Sequence, residues 1–343
     1  MSEIVFETAG RAGVVTLDRP KALNSLSEAM VRSLKEALEE WRRDDRVERV
    51  VLKAEGKAFC AGGDVLDVYA RRAGAVDFFG VEYQTDLLTG LYEKPIVALL
   101  DGVCMGGGVG ISGHGSHRVA TDNLVFAMPE VGIGLFPDVG ASHILSRLPG
   151  ESGMWLALTG SRVGRDEAAA LGIVTHPIDA GRLGDALDRA VHARGLDGAL
   201  DELVVKTAPR DDEAAKMIDA AFAGDDIMMM LERLNEAAAD SELAAKAVKA
   251  IGQKSPTSLM ITVRQLREAT EKSLTECLAT DFRIVSRVLE GPDLYEGIRA
   301  LLVDKDNAPR WDPARLDQVD PDEIAVYFAV PPHGDLDLSG AAI

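Results

Sequence analysis

Strand patterns and helix patterns alternate along the first 180 residues of this chain, and beyond about residue 183 the strand patterns stop. "IVFETAGRAGVVTLDRP" (4–20) reads as two short strands about a glycine turn. "SLSEAMVRSLKEALEEWRRD" (25–44) reads as a helix whose Met30, Leu34, Leu38 and Trp41 recur every three or four residues. "VERVVLKAEG" and "KPIVALLDG" are buried strands, "KAFCAGGDV" is a loop, residues 76–92 are helical in pattern, and "MGGGVGISGHG" opens a helix. "HRVATDNLVFAMPEVG" looks like a strand and a turn, while "GASHILSRLPG" and "ESGMWLALTG" look helical. Such alternation indicates an α/β core. The remainder is Ala- and Glu-rich helix, broken at "AGDDI" (223–227) and "GQKSPTS" (252–258). The expected organisation is a core over 1–200 that carries the active site, a helical region over 201–330, and a loosely held tail over 331–343.

The chain has 343 residues, 37 of them basic and 56 acidic, for a net charge of -19. That balance argues against nucleic acid or an anionic membrane surface as partner, because both select an excess of Lys and Arg. Apolar runs such as "PIVALL" (95–100) are too short to span a bilayer, and the start "MSEIVFETAG" is not that of a signal peptide. Cys60, Cys104 and Cys277 are scattered, without CxxC or Cys/His ligand spacing, so neither a disulfide framework nor a metal site is expected. Reduced thiols suit the cytoplasm. His114 and His117 have no third ligand nearby and read as structural.

Two acids, Glu130 and Asp138, lie in "MPEVGIGLFPDVG" (128–140) among glycines, prolines and large apolar residues, with no Lys or Arg in the stretch. Charges in apolar surroundings are costly unless paired or used. Upstream, "CAGGD" (60–64) and "MGGG" (105–108) each follow a strand and precede a helix. Three readings compete for the second loop. "GVGISG" (108–113) fits the spacing of a dinucleotide-binding turn, but the acid about 20 residues on would be Glu130, which is not at a strand end. Gly110 and Gly113 could instead let a helix pack closely on the sheet. The third reading takes both loops together: two outward N–H groups converging on one point form an oxyanion hole, beside which a carboxylate can attack a carbonyl or activate water. Only this reading explains the glycines and the acids together.

"RPKALNSLS", "AFCAGGDV", "MGGGVG" and "FAMPEVGIGLFPDVG" resemble the enoyl-CoA hydratase/isomerase (crotonase) superfamily. "SPTSLMITVRQL" (255–266) and "EGIRALLVDKDNAPRWDP" (296–313) resemble its hydroxyacyl-CoA hydrolase branch. The resemblance implies a spiral of ββα units with a helical C-terminal region, assembled as a homo-oligomer, a trimer or hexamer. It implies oxyanion N–H groups from Gly63 and Gly107. It also implies an acyl-CoA seated along Lys21, Ala22 and Leu23 and the backbone of Ala58, Ala61 and Gly62, with Lys305 a looser phosphate contact. Coenzyme A would be part of the substrate, with no separate cofactor. Hydratases of the superfamily use two glutamates. Gly110 stands where the first belongs, Glu130 matches the second, and Asp138 replaces a glycine. The pattern fits the hydrolases, which also carry an acid matching Glu82 in "VEYQ". The implied substrate is 3-hydroxyisobutyryl-CoA, an intermediate of valine breakdown, with Glu130 as nucleophile or general base and Asp138 and Glu82 at the polar end of the pocket; a hydratase or isomerase acting on another acyl-CoA, and a non-catalytic acyl-CoA-binding member of the fold, are the alternatives. Taken alone, Asp138 would be a turn residue and Glu82 a solvated helix residue. Asp64 reads as a helix cap, and Cys60 and Cys104 as packing residues.

Overall fold

A computed structural model describes residues 3–340. Ile4–Ala9 (β1) and Ala12–Leu17 (β2) pair as an antiparallel hairpin. Arg49–Ala54 (β3), Ile96–Leu100 (β5), His117–Ala120 (β7) and His176–Pro177 (β9) extend it, all parallel, into a six-stranded sheet in the order β1-β2-β3-β5-β7-β9. Ala58–Cys60 (β4), Val103–Met105 (β6) and Val125–Ala127 (β8) form a second, wholly parallel sheet in which Cys60 registers with Cys104 and Cys104 with Phe126.

After the helix Glu28–Arg42 (α1), each pass of the chain adds one strand to each sheet and then turns into helix. β3 and β4 lead into Val65–Arg71 (α2) and Val76–Gly90 (α3). β5 and β6 lead into Gly107–Gly113 (α4). β7 and β8 lead into a single 3-10 turn, Glu130–Ile133, and then Ala141–Leu145 (α5). This is the expected spiral of ββα units. The sequence pattern understates it in two places. Residues 117–127 split at the Thr121–Leu124 turn into strands of different sheets, and the loop around "KAFC" contains β4. Strands of three or four residues are too short to display a period of two.

Helices follow: Ser152–Thr159 (α6), Arg165–Ala170 (α7), Leu183–His192 (α8), Leu196–Asp201 (α9), Asp212–Ala221 (α10), Ile227–Ala237 (α11), Glu242–Ile251 (α12), Pro256–Ala269 (α13), Leu274–Val288 (α14), Asp293–Ile298 (α15) and Pro321–Phe328 (α16). Asp211, Asp226, Ser241, Ser255 and Ser273 each cap a first turn through a side-chain oxygen, which is why short polar residues punctuate this region. One apolar cluster runs from Ile4 to Leu338 and draws residues from both sides of position 200. A smaller cluster covers the far face of the large sheet, where Val14, Val51, Val97 and Val119 meet Ala186 and Ala190 of α8 and Leu200 of α9. With both faces covered, the central strands read as continuous apolar runs.

The C-terminal segment is anchored where a loose tail is expected. Arg283 of α14 holds Asp335 through two bonds of 2.6 Å, Gln84 of α3 donates to the carbonyl of Asp337, and Leu338 is buried. Only residues 341–343 of that expectation lie outside the described residues. No helix among the described residues is long and apolar enough to cross a membrane.

Candidate active site

The three strands of the small sheet end side by side, and each releases part of one site. β4 runs out into Ala61, Gly62 and Gly63, β6 into Gly106 and Gly107, and β8 through Met128 and Pro129 into Glu130. The carboxyl ends of parallel strands are where open α/β folds place ligands. Among the described residues, neither Gly63 N–H nor Gly107 N–H donates to a backbone carbonyl. A Cβ on Gly107 would stand 3.3 Å from Gly63 N and collide with Glu82 Oε1, so only glycine brings the two amides together there. Gly62 has φ +111° and Gly106 +49°, backbone conformations that a side chain would strain.

A cavity of about 470 Å³ opens over these amides, and Glu82, Glu130 and Asp138 line it with Phe78, Phe79, Ile133 and Leu135. Glu82 comes from α3, a helix buried on nearly every side. Asp138 accepts a 2.8 Å hydrogen bond from Tyr83 Oη. Its neighbour Val139 is held at φ +55°, which is strained for a β-branched residue. Two bonds fix that conformation: His114 Nε2–H donates to Val139 O at 2.8 Å, and Gly140 N–H to Asp281 Oδ2 at 2.8 Å. Burial lowers His114 to about 4, so its ring is neutral and structural, as expected.

Burial raises all of these carboxyls, and Asp138 adds to the rise of Glu82 and Glu130. Burial pushes Asp138 up to about 7, against the pull of the Tyr83 hydroxyl. Burial, then Asp138 and Glu130, hold Glu82 well above the usual carboxylate range. Glu130 is raised by burial and Asp138, opposed by its own backbone N–H and by Lys254. Asp86, one turn beyond Glu82 and wholly enclosed, has neither oxygen hydrogen-bonded among the described residues, and burial followed by Glu82 raises it. Groups so arranged cannot all be ionised together, and a site with both a proton donor and a proton acceptor follows.

Of the residues singled out from the sequence, Gly63, Gly107, Glu82, Glu130, Asp138, Ala61 and Gly62 line this one cavity. Lys21, Ala22, Leu23 and Ala58 do not line it but run beside it. Ala61 N–H donates to Leu23 O at 3.0 Å, Asn24 Nδ2 donates to Ala58 O at 2.8 Å, and Arg19 pairs with Asp64 at 2.8 Å. Asp64 caps α2. Lys305 is exposed and outside the lining, three positions past Leu302, which is within it. Cys60 and Cys104 are buried. Among the described residues no group of three His, Cys, Asp or Glu side chains could hold a metal. The glycines of "GVGISG" face protein: a Cβ at Gly108 would lie 2.6 Å from Cys60 O, and one at Gly113 2.9 Å from Ile144.

Sequence reasoning does not single out Tyr83, Asp86, Asp281 or Lys254. Asp86 lies four residues past Glu82, and that helical spacing is the signal that could find it; Tyr83, next to Glu82, carries no such signal. Lys254 sits in a stretch that reads only as a helix break.

The sequence profile described as enoyl-CoA hydratase/isomerase matches residues 12–328. The chain belongs to the enoyl-CoA hydratase/isomerase family. A family member from Rattus norvegicus named 3-hydroxyisobutyryl-CoA hydrolase, mitochondrial, is 42% identical, over 95% of this chain and 89% of its own. Two solved members carry other titles. One from Mycobacterium thermoresistibile, titled a carnitinyl-CoA dehydratase, superposes with TM-score 0.93 at 38% identity, covering 99% of this chain and 100% of its own. One from Rhodobacter sphaeroides, titled an enoyl-CoA hydratase, gives 0.89 at 37%, covering 98% and 99%. The resemblance read from the sequence places the first hydratase glutamate at Gly110. A Cβ at Gly110 would lie 2.7 and 2.8 Å from the two oxygens of Asp86 and 2.8 Å from Val139 Cβ, so a side chain there would have to displace both neighbours.

Proposed function

We propose that the protein hydrolyses a short branched hydroxyacyl-CoA thioester, 3-hydroxyisobutyryl-CoA, to 3-hydroxyisobutyrate and coenzyme A. The observation that carries this reading is the filled space at Gly110 set against Glu130 and Asp138 in one cavity. It leaves Glu130 without a partner acid from α4, the helix that would carry the second glutamate of two-glutamate hydration, and adds an aspartate beside it; the other glutamate of the cavity, Glu82, comes from α3 instead. The name of the rat relative supports the same substrate.

In this reading the thioester oxygen rests on the N–H groups of Gly63 and Gly107. Donors aimed at a developing oxyanion are commonly worth about 2.7–4 kcal/mol each. The Glu130 carboxylate either attacks the carbonyl carbon, giving a mixed anhydride that water then opens, or takes a proton from water as it attacks. In both routes the C–S bond breaks, the sulfur leaves as thiolate and a proton from the site converts it to the thiol. Asp138, pushed up to about 7, suits the donor of that proton or the partner of the 3-hydroxyl. Glu82 closes the polar end. Coenzyme A enters as part of the substrate along residues 21–23 and 58–62, and no separate cofactor is proposed. The helical region acts as one wall of the site, through Lys254, Leu301 and Leu302. A place in valine breakdown, a homo-oligomeric assembly and the cytoplasm complete the proposal. Three buried free thiols support a reducing compartment; the rat relative is named mitochondrial.

The dehydratase and hydratase titles of the two solved relatives favour a second reading, water exchange across a double bond. Wild-type protein supplied separately with 3-hydroxyisobutyryl-CoA and crotonyl-CoA separates the two. Free thiol from the first ester and an intact double bond in the second are expected. Loss of the crotonyl double bond without thiol release from either would establish the second reading instead.

A further inference from the structure

Lys254 stands in the wall of the cavity, just before the cap residue Ser255 of α13; its backbone N–H donates to Ile251 O at 3.0 Å, and its side chain makes no hydrogen bond or close ion pair among the described residues. Two observations place it against the turn that carries Glu130. Ser255 N–H donates to Val131 O at 3.2 Å, tying this segment to the turn that begins at Glu130. Nζ also lies 3.2 Å from where a Cβ on Gly132 would stand and 3.6 Å from one on Gly160, so the absence of side chains at both positions gives the ammonium its room. The cavity lining contains three carboxyls and, apart from exposed Arg162, no other basic side chain.

We propose that Lys254 is a positioning residue for Glu130: its ammonium is the counter-charge that draws this carboxyl toward its ionised form while Asp138 and Glu82 stand beside it. The inference deepens the hydrolase reading and rests on it for the role of Glu130. Both routes above need Glu130 charged, and in an enclosed site with neighbouring acids an unassisted carboxylate would take up a proton. The other groups facing this turn do not supply the charge. α6 carries no titratable side chain. α15 presents Asp293, which accepts from Ser255 Oγ at 2.6 Å and from Asp312 N–H at 2.9 Å. α13 directs Gln265 to Pro137 O and Asp281. Glu130 and Lys254 each pull the other toward its charged form, while burial opposes both.

The test is a carbon-13 titration of the Glu130 carboxyl in protein labelled at glutamate, with the resonance assigned by its loss in Glu130→Gln. It is read beside the pH dependence of kcat/KM for thiol release. In Lys254→Met the Glu130 midpoint should rise by about one unit or more, and the ascending limb of the rate profile should rise with it. Lys254→Arg should stay near wild type. Lys254→Gln serves as the neutral variant if the Met form does not fold. An unmoved midpoint in a folded neutral variant, or an Arg form that titrates like the neutral one, overturns the inference. Failure of the wild type to release thiol would count against the hydrolase reading alone, since the carboxyl titration decides the role of Lys254 without turnover.

Discussion

Tyr83 shows how much of this site is set by single side chains behind it. It is fully buried, and its hydroxyl gives Asp138 the side-chain hydrogen bond that, with a backbone N–H, lowers that acid against the effect of burial. Tyr83→Phe removes the donor and keeps the ring. Asp138 should then titrate above its present value of about 7, and the limb of kcat/KM that depends on it should move to higher pH. Losing a buried bond of this kind should also cost about 1.5–3 kcal/mol of stability, readable as a lower urea midpoint at unchanged slope. A rate profile that keeps its limb would mean that Asp138 does not titrate in turnover. The neighbouring residue Asp86 acts differently, by filling the space against Gly110.

At the scale of elements, the site depends on segments that are short and tied across the fold. Ser255 caps α13 and also donates to Asp293 at 2.6 Å. Ser255→Ala should therefore cost about 1–2 kcal/mol, the upper part of the range for a lost cap. Its backbone N–H remains to hold Val131 O, so thiol release should change by only a few fold. A large loss of turnover at native stability would show instead that the hydroxyl itself acts in the chemistry. The long elements of the fold are legible from sequence because period and capping agree along them: α1, α3, β3 and β5 lie where the pattern puts them. The three-residue strands are not, and they form the sheet whose ends build the site. Glu130, Asp138 and the two glycine loops are legible because acids without cations and paired glycines are unusual in apolar sequence. Lys254 and Asp281 are not, because nothing local marks a residue that reaches the site from 120 or more positions away in the chain.

For the whole molecule, the buried carboxyls make stability depend on pH with a definite sign. Unfolded, these groups lose their protons near pH 4. Folded, Glu82, Asp86 and Asp281 hold theirs well beyond that, and Asp138 to about 7. The folded chain thus binds more protons than the unfolded one over this window. The contribution of the cluster is complete below about pH 4 and is lost as the pH rises through the folded values. Thermal midpoints should fall between pH 5 and 8, and Asp86→Asn, which keeps the shape without the proton, should flatten that fall. An unchanged slope would mean that Asp86 does not titrate there. The central claim, that the strand ends and acids assemble a hydrolase centred on Glu130, is tested most directly by thiol release from 3-hydroxyisobutyryl-CoA in wild type and Glu130→Gln, with ester binding measured in both. Release in the wild type, loss of release in the variant, and ester affinity within a few fold are expected. A variant that binds and releases thiol at the wild-type rate would contradict it.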